Sequence, residues 1–584
     1  MDSAEWLLLE ECATLGKVCE EGKCVGCEPG AKACRGQSVV QCQEDGKTEL
    51  VMDICGEGAE CREGACVAVC GRQGGKISYQ GCEYWAVDLE NADVEPGAGA
   101  ISPASAQFAV AISNTDQRNP VHVQIFRLRQ GREQLVIEKD IPPRQAGASG
   151  IEVFDLPPDN GVVGSSKGPK AFRVAASGPV IAYQFNPLNN TEEAFSNDAS
   201  LLLPSNALDK EYLATTGDGI KLAKSMLEQV DAPSYVAVVG VTEEPARVTV
   251  NASNDIVAFQ GPDVRVQGRT VTATLSRYDV LSVASRVPEP NFLDPTIPPG
   301  QANLSGTRIS SDVPVAVFAG NTATIVPTGQ GGSCCADHLE EQLFPISSWG
   351  RHFVAPRSMV RRVEGEDEPD YWRITAAQAD TQVAYRPRRP QGAPQQLVAG
   401  QSVEFSSNES FVIEASKPVL VTQFLTSSGQ APLREANPMG MCQPGDAGDR
   451  QCTRDLGAMA VCWGEGMGQC YAISDPSMIL IPPVEQFRDD YLFLSPRDYK
   501  LDFVNVMARA GTRVEIDGEL IPENQASEVG ELGGEDWVVY THEVSDGSHC
   551  VTADTTFGLV VYGYDKDVSY GYPGGLNLER INQQ

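Results

Sequence analysis

The sequence predicts an all-β protein: four tandem antiparallel β-sandwich repeats preceded by a small disulfide-rich module. Three observations carry that reading. From residue 71 onward, short runs rich in Val, Ile, Thr and Tyr alternate with Gly, Pro, Asn and Asp clusters, the signature of strands and turns. No stretch keeps an apolar period near 3.6 residues for long, so helices should be few and short. An internal pattern also recurs at domain spacing, which marks a repeat array.

The pattern is an apolar strand followed by an Asp-led strand that ends in Pro. Pro179-Val180-Ile181-Ala182-Tyr183 leads to Asp198-Ala199-Ser200-Leu201-Leu202-Leu203-Pro204. Pro314-Val315-Ala316-Val317-Phe318 leads to Asp337-His338-Leu339-Glu340-Glu341 and on to Pro345. Pro418-Val419-Leu420-Val421 leads to Asp475-Pro476-Ser477-Met478-Ile479-Leu480-Ile481-Pro482. Gly558-Leu559-Val560-Val561-Tyr562 leads to Asp567-Val568-Ser569-Tyr570-Gly571-Tyr572-Pro573. The agreement runs past the prolines. Leu208 and Tyr212 stand after Pro204 as Trp349 and Phe353 stand after Pro345 and Phe487 and Tyr491 after Pro483.

Each repeat also holds an inner strand pair read as a hairpin with a short variable loop. The pairs are Phe108–Ala111 with Val121–Val123, Tyr235–Val239 with Arg247–Val250, Tyr371–Ile374 with Thr381–Tyr385, and Phe503–Val506 with Arg513–Ile516. About 100 to 140 residues of such strands is one sandwich. A β-propeller is the alternative, but its blades of about 45 residues do not fit the period. The expected divisions are 1–70 for the module, then 71–194, 195–333, 334–473 (with an insertion at 426–473) and 474–584. The Asp-led strand is expected to open the sandwich that follows it. The fourth copy would then be an orphan, with two outcomes open to it: it folds onto the fourth sandwich in an open string of repeats, or it pairs with the first repeat and closes the array into a ring.

The net charge of −34 argues against nucleic acid and anionic membranes as partners. No run of residues is long and apolar enough to span a bilayer. Of 18 cysteines, 11 precede residue 83. Cys12, Cys19, Cys24, Cys27, Cys34, Cys42, Cys55, Cys61, Cys66 and Cys70 form a module too small to bury a core, so disulfides must hold it. A zinc reading fails there for want of His and of a closed ligand spacing. Cys82, Cys334, Cys335, Cys442, Cys452, Cys462, Cys470 and Cys550 complete the set, and all 18 are expected to be oxidised. Cys82 and Cys550 are the lone cysteines of the first and last repeats, so a closed array is expected to bring them within disulfide reach. An oxidising compartment implies a leader, secretory or lipoprotein, removed from the mature chain, with a lipid anchor as the second form of that expectation.

Motifs that carry catalytic or metal chemistry are few. There are five His and no zinc-protease or phosphate-loop pattern. Gly164-Ser165-Ser166-Lys167-Gly168 fits a nucleophile elbow as a string, but prolines flank it where a strand and a helix are needed. The chain is therefore read as a non-enzyme with no cofactor. The acidic loop Glu364–Asp370 offers oxygen ligands of the kind Ca²⁺ takes, without an EF-hand spacing, and is read as a solvated loop. Asp337-His338-Leu339-Glu340-Glu341 is the densest titratable cluster. Its functional reading is a metal or partner site. Its structural reading is a repeat element in which Asp198, Asp337, Asp475 and Asp567 accept backbone N–H bonds at a turn.

The spacing from the Pro (or Gly558) of the apolar strand to the repeat Asp grows from 9 (558 to 567) to 19 (179 to 198), 23 (314 to 337) and 57 (418 to 475). The longest interval carries Met441, Cys442, Cys452, Cys462, Trp463 and Cys470. A long loop inside a compact fold is usually functional or disordered, and staples argue against disorder. These residues are the candidate binding loop; a merely decorated crossover is the alternative.

Taken together, Gly81-Cys82-Glu83-Tyr84-Trp85, Asn197-Asp198-Ala199-Ser200-Leu201, Asp337-His338-Leu339-Glu340-Glu341-Gln342, Asp475-Pro476-Ser477-Met478 and Ser569-Tyr570-Gly571-Tyr572-Pro573-Gly574-Gly575 resemble the IgGFc-binding protein N-terminal domain family. The resemblance spans roughly residues 77 to 578. It looks like the bacterial, myxobacterial-type members, whose secreted or lipid-anchored chains carry similar cysteine-rich spacers. The resemblance implies an extracellular, cell-surface binding or adhesion protein that recognises a protein or glycan through loops on a rigid scaffold. The competing class is a structural subunit of a surface layer or fibre, assembled through exposed strand edges.

Overall fold

A computed structural model describes residues 18–20, 23–27, 29–36, 38–54, 59–62, 65–68, 77–95, 101–143, 150–188, 196–225, 228–259, 263–289, 302–327, 336–361, 368–427, 441–456, 459–463, 468–497 and 499–582. The fold is all-β and antiparallel, and α-helix among the described residues is confined to Asp446–Leu456.

One strand organises each repeat. Ala171–Asn186, Arg308–Thr324 and Gly547–Asp565 are 16, 17 and 19 residues long. Each runs through both sheets of its sandwich. The first half of 171–186 pairs with Gly81–Val87 and Val121–Arg129, and the second half with Ala109–Asn114. In the third repeat the two halves are separate strands, Phe411–Ala415 and Val419–Phe424, in two four-stranded sheets. Pro179, Pro314 and Pro418 sit where the chain passes between sheets. A residue without an N–H suits that point, because a ladder bond is lost there anyway.

This long strand explains why the expected hairpins are not hairpins. Ser234–Gly240 and Ala246–Asn251 both pair with Arg308–Thr324, on its two different halves, and not with each other. The same holds for Asp370–Ala376 and Thr381–Arg386, which lie in different sheets. Each predicted pair is an arch between two sheets. Alternating apolar residues identify a strand with one buried face, not its neighbour.

The Asp-led strands are also reassigned. Asp198–Leu201, Asp337–Gln342, Met478–Leu480 and Val568–Pro573 each fold back antiparallel on the long strand (or its second half) of their own repeat. They end their own sandwich and do not open the next. The divisions at 195, 334 and 474 therefore cut each of these strands from its sheet. After each of the first three comes the same joint: Pro, a one-turn 3-10 helix, then the next opening strand. The joints are Ser205–Ala207, Ile346–Ser348 and Val484–Gln486, followed by Asp209–Leu213, His352–Ala355 and Arg488–Ser495.

The four Asp-led strands pack against one another as a fully buried hub. Asp198 reaches all four. Its carboxyl accepts from Ala199 N of its own strand at 2.9 Å, Glu340 N of the second at 3.2 Å, Ser477 Oγ of the third at 2.8 Å and Gly571 N of the fourth at 3.4 Å. Asp337 accepts from Asn197 N at 2.7 Å, His338 N at 2.8 Å and Ser569 N at 3.4 Å.

The array is closed. Neighbouring repeats meet through Trp85 on Tyr278, Thr422 on Thr215, and the Tyr562 hydroxyl, which accepts from Met359 N. The first repeat meets the fourth through Tyr79, which packs on Tyr491 and accepts from Leu492 N, and through Tyr183, 5.0 Å from Tyr572. The C-terminal segment straps all four together. Tyr79 N donates to Leu576 O, Arg580 pairs with Asp209, Asn582 N donates to Ser347 O, and Asn577 N donates to Gln486 O. The fourth Asp-led strand is thus both part of its own sandwich and one quarter of the hub.

Disulfides join Cys27 to Cys42 and Cys34 to Cys61 in the N-terminal module, Cys442 to Cys462, and Cys452 to Cys470. Cys82 is disulfide-bonded, but Cys550 is a free thiol. That corrects the expectation of complete oxidation, and closure does not use a bond between Cys82 and Cys550. Cys12, Cys55, Cys70, Cys334 and Cys335 lie outside the described residues.

If Asp198 holds the hub together, Asp198→Ala strands several buried donors at about 1–3 kcal/mol each. We expect a urea midpoint lowered in proportion, and a smaller loss for Asp198→Asn, which keeps one acceptor oxygen; equal midpoints for wild type and Asp198→Ala would refute the role.

Candidate functional site

The hub strands all begin at one end of the ring and finish at the other. The proline joints and the C-terminal strap occupy the finishing end. The connections from the long strands to the hub occupy the beginning end, and they touch in sequence around it. His338 N donates to Ser196 Oγ at 3.1 Å, linking the first two connections. Ser427 N donates to Val326 O, and Val326 N to Ser427 Oγ, linking the second and third. Ser474 N donates to Asp565 O, and Ile473 bridges Lys566, linking the third and fourth. The connections that differ most in length between repeats therefore share one face.

The insertion of the third repeat stands on that face as a separate knob. Met441–Cys442, Gly468–Ala472 and Ala460–Trp463 form a three-stranded sheet, with the helix Asp446–Leu456 packed beside it. A segment this small cannot bury enough apolar surface alone, and the disulfides Cys442–Cys462 and Cys452–Cys470 supply the missing constraint. Asp446 and Asp449 lie in the first turn of the helix, where its dipole favours negative charge. Asp449 Oδ1 accepts from Cys462 N at 2.7 Å, tying helix to sheet.

Three cations mount the knob on the ring. Buried Arg361 forks onto Glu368, Nε to Oε1 at 2.9 Å and Nη2 to Oε2 at 2.7 Å. The same guanidinium donates to Thr426 Oγ1 at 2.8 Å and to Ile473 O at 2.9 Å, so it holds both ends of the insertion. Lys500 of the fourth repeat reaches Asp449 at 2.6 Å, and Lys566 lies 4.6 Å from the Tyr471 ring. Sequence reading missed all three. Arg361 stands among ordinary loop charges, and nothing local marks it as a clamp.

The predicted site residues divide cleanly. Cys442, Cys452, Cys462 and Cys470 are the staples. Met441 is 56 % exposed at the knob's edge, and Trp463 ends one of its strands. The sulfurs of Cys442, Cys452 and Cys462 lie close enough for a metal, but each is spent in a disulfide, and zinc needs thiolates. Residues 428–440 lie outside the described residues.

The Asp337–Glu341 cluster is placed elsewhere, at the ring axis. Asp337, His338, Glu340 and Glu341 are fully buried, out of reach of a macromolecular partner. Glu341 accepts from Ser200 Oγ at 3.2 Å and Leu480 N at 3.3 Å, and Glu340 from Gln184 Nε2 at 3.1 Å. Desolvation pushes the carboxyls of Asp198, Asp337, Glu340 and Glu341 well above their ordinary range, and pulls His338 down to about 3, so that imidazole is neutral. Asp567 departs from the other repeat acids. It is only half-buried and pairs with Lys566 at 3.0 Å. In the acidic loop, Glu368 is held by Arg361, and Asp370 takes Ser358 N at 2.7 Å. The elbow-like string forms no elbow: Ser166–Pro169 is a strand added to the edge of the second repeat's sheet, against Asp279–Ala284.

The IgGFc binding protein family matches residues 198–563, from the first hub Asp almost to the fourth hub strand, and so covers well over half of the chain. The chain belongs to that family. Human IgGFc-binding protein is 24% identical over 376 residues, 64% of this chain. The matched stretch is only 6% of the human protein's length. The family match thus falls on the ring, the part of the chain that carries the hub and the connection face. No helix among the described residues is long and apolar enough to cross a membrane.

Removing one partner of a buried ion pair typically costs about 3–5 kcal/mol. Arg361→Ala should therefore release both ends of the insertion. We expect limited proteolysis to cut within 426–473 at least about tenfold faster than in wild type; an unchanged cleavage rate would show that the knob is held by other contacts.

Proposed function

We propose that this chain is an extracellular cell-surface binding protein that recognises a protein or glycan through the connection face of the ring. One observation carries the reading: the connections that vary most between repeats share one end of a rigid scaffold, and the longest is stapled by two disulfides and clamped by Arg361. Binding usually lives on loops held by a rigid frame, and pre-ordered loops lose less entropy on binding. The disulfides support an oxidising compartment. Membership of a family named for a binding activity supports a binding rather than a catalytic role. The net charge of −34 disfavours polyanionic partners.

The test replaces residues 430–470 with a short Gly-Ser link, which keeps the Arg361 clamp to Thr426 and Ile473. Fluorescent wild-type and variant chains are compared on a glycan array, on immobilised immunoglobulin G Fc and on intact cells. We expect a melting temperature within a few degrees of wild type and loss of the wild-type binding signal; a variant that binds as wild type does would overturn the assignment of the knob.

A further inference from the structure

The hub raises a question of charge. Five carboxyls, those of Asp198, Asp337, Glu340, Glu341 and Asp475, lie buried where three of the four repeats meet the axis. Four of the five act across a strand boundary. Asp198 takes Glu340 N, Asp337 takes Asn197 N, Glu341 takes Leu480 N, and Glu340 takes Gln184 Nε2 from the first repeat's long strand. The carboxyls therefore belong to the closed array, because their surroundings are assembled from different repeats.

Among the described residues, the groups facing them do not supply matching positive charge. From the first repeat comes the carboxyl of Asp88, with Lys170 nearby, and Glu90 lies beside the neighbouring Tyr235. From the second come neutral His338 and Tyr235, whose hydroxyl is 3.4 Å from His338 Nε2. From the third comes Arg361 beside Asp475, already forked onto Glu368, and the buried carboxyl of Asp370 at the start of Asp370–Ala376. From the fourth come Tyr499 and Tyr570, the latter donating to Asp502 Oδ1 at 2.6 Å, and Asp565 with Lys500 and Lys566 at the rim. Several like charges in a dry space with one shared cation are strongly unfavourable.

We propose that closure of the four-repeat ring is proton-linked: the closed hub holds protons on its carboxyls that the open chain gives up, so the ring tightens in mild acid and loosens in alkali. A neutral carboxyl keeps its carbonyl oxygen as an acceptor of the N–H bonds of neighbouring strands, so the stitching is weakened but retained on protonation. Ionisation strengthens those bonds, but desolvation and the repulsion of the other hub carboxyls outweigh that gain.

The direction follows from linkage. A carboxyl whose proton is held more tightly in the folded state favours folding fully at pH values below its unfolded value near 4. That contribution is lost as pH rises through the folded value. Burial raises Asp565 to about 6 and both Asp88 and Asp502 to about 7, and it raises the hub carboxyls well above their ordinary range. Stability should therefore fall as pH rises from about 5 through 7, with neutral His338 acting in the opposite sense below its unfolded value near 6.5.

The test uses the whole chain at constant ionic strength, with urea midpoints and melting temperatures from pH 5 to pH 9. Glu340→Gln with Glu341→Gln keeps the shape of the hub and removes two titrating groups. We expect wild type to lose about tenfold in its folding equilibrium per pH unit for each proton held, and the double variant to lose measurably less per unit. Glu409→Gln, on an exposed loop of the third repeat, controls for a general effect of removing charge and should keep the wild-type slope. A flat or rising wild-type profile, or an unchanged slope in a folded double variant, would overturn the proposal. A double variant that fails to fold is replaced by Glu341→Gln alone, for which the same two outcomes decide.

Discussion

Every repeat of this protein ends in a strand that it cannot bury alone. Asp198–Leu201, Asp337–Gln342, Met478–Leu480 and Val568–Pro573 each pair with the long strand (or its second half) of their own repeat, yet all are wholly buried on both faces. The second burying surface comes from the other three copies. Burial of backbone and carboxyls away from water is tolerable only if their hydrogen bonds are made. Asp198, accepting from all four strands, is the group that makes the arrangement four-sided. Tight β-sandwiches on a string would need no such carboxyl.

That constraint also places the variable parts. With the proline joints and the strap fixed at one end, the long insertion of the third repeat falls where its strand Val419–Phe424 turns into the hub. The fourth connection is a two-residue reversal at Lys566 and Asp567, while the third carries a folded knob. The largest insertion thus falls on the face that the geometry of closure leaves open.

Much of this was legible in the residues. The Asp-to-Pro grammar and the aromatic offsets after Pro204, Pro345 and Pro483 identified the repeat, because each copy meets the same packing demand. The stapled insertion was visible from its cysteines. What escaped was partnership. The alternation in Val248-Thr249-Val250 reveals a half-buried strand but not that its neighbour is the first half of 308–324. The Asp-led strand looked like a beginning because an opening strand follows it; only the pairing of Tyr183 with Leu201 and its equivalents shows it to be an end. The acids Glu340 and Glu341 read as a possible site because burial at an axis made by distant repeats leaves no local mark. Arg361 was invisible for the same reason: its partners Thr426 and Ile473 are brought to it by the fold.

The central claim is that the four repeats close on a common hub, and the measurement that meets it most directly is small-angle scattering of the whole chain near pH 6. A closed array of this length has an expected radius of gyration of about 25 Å, whereas four sandwiches end to end give about 40 Å or more. A value near the first is the prediction; a value near the second would contradict the closed ring.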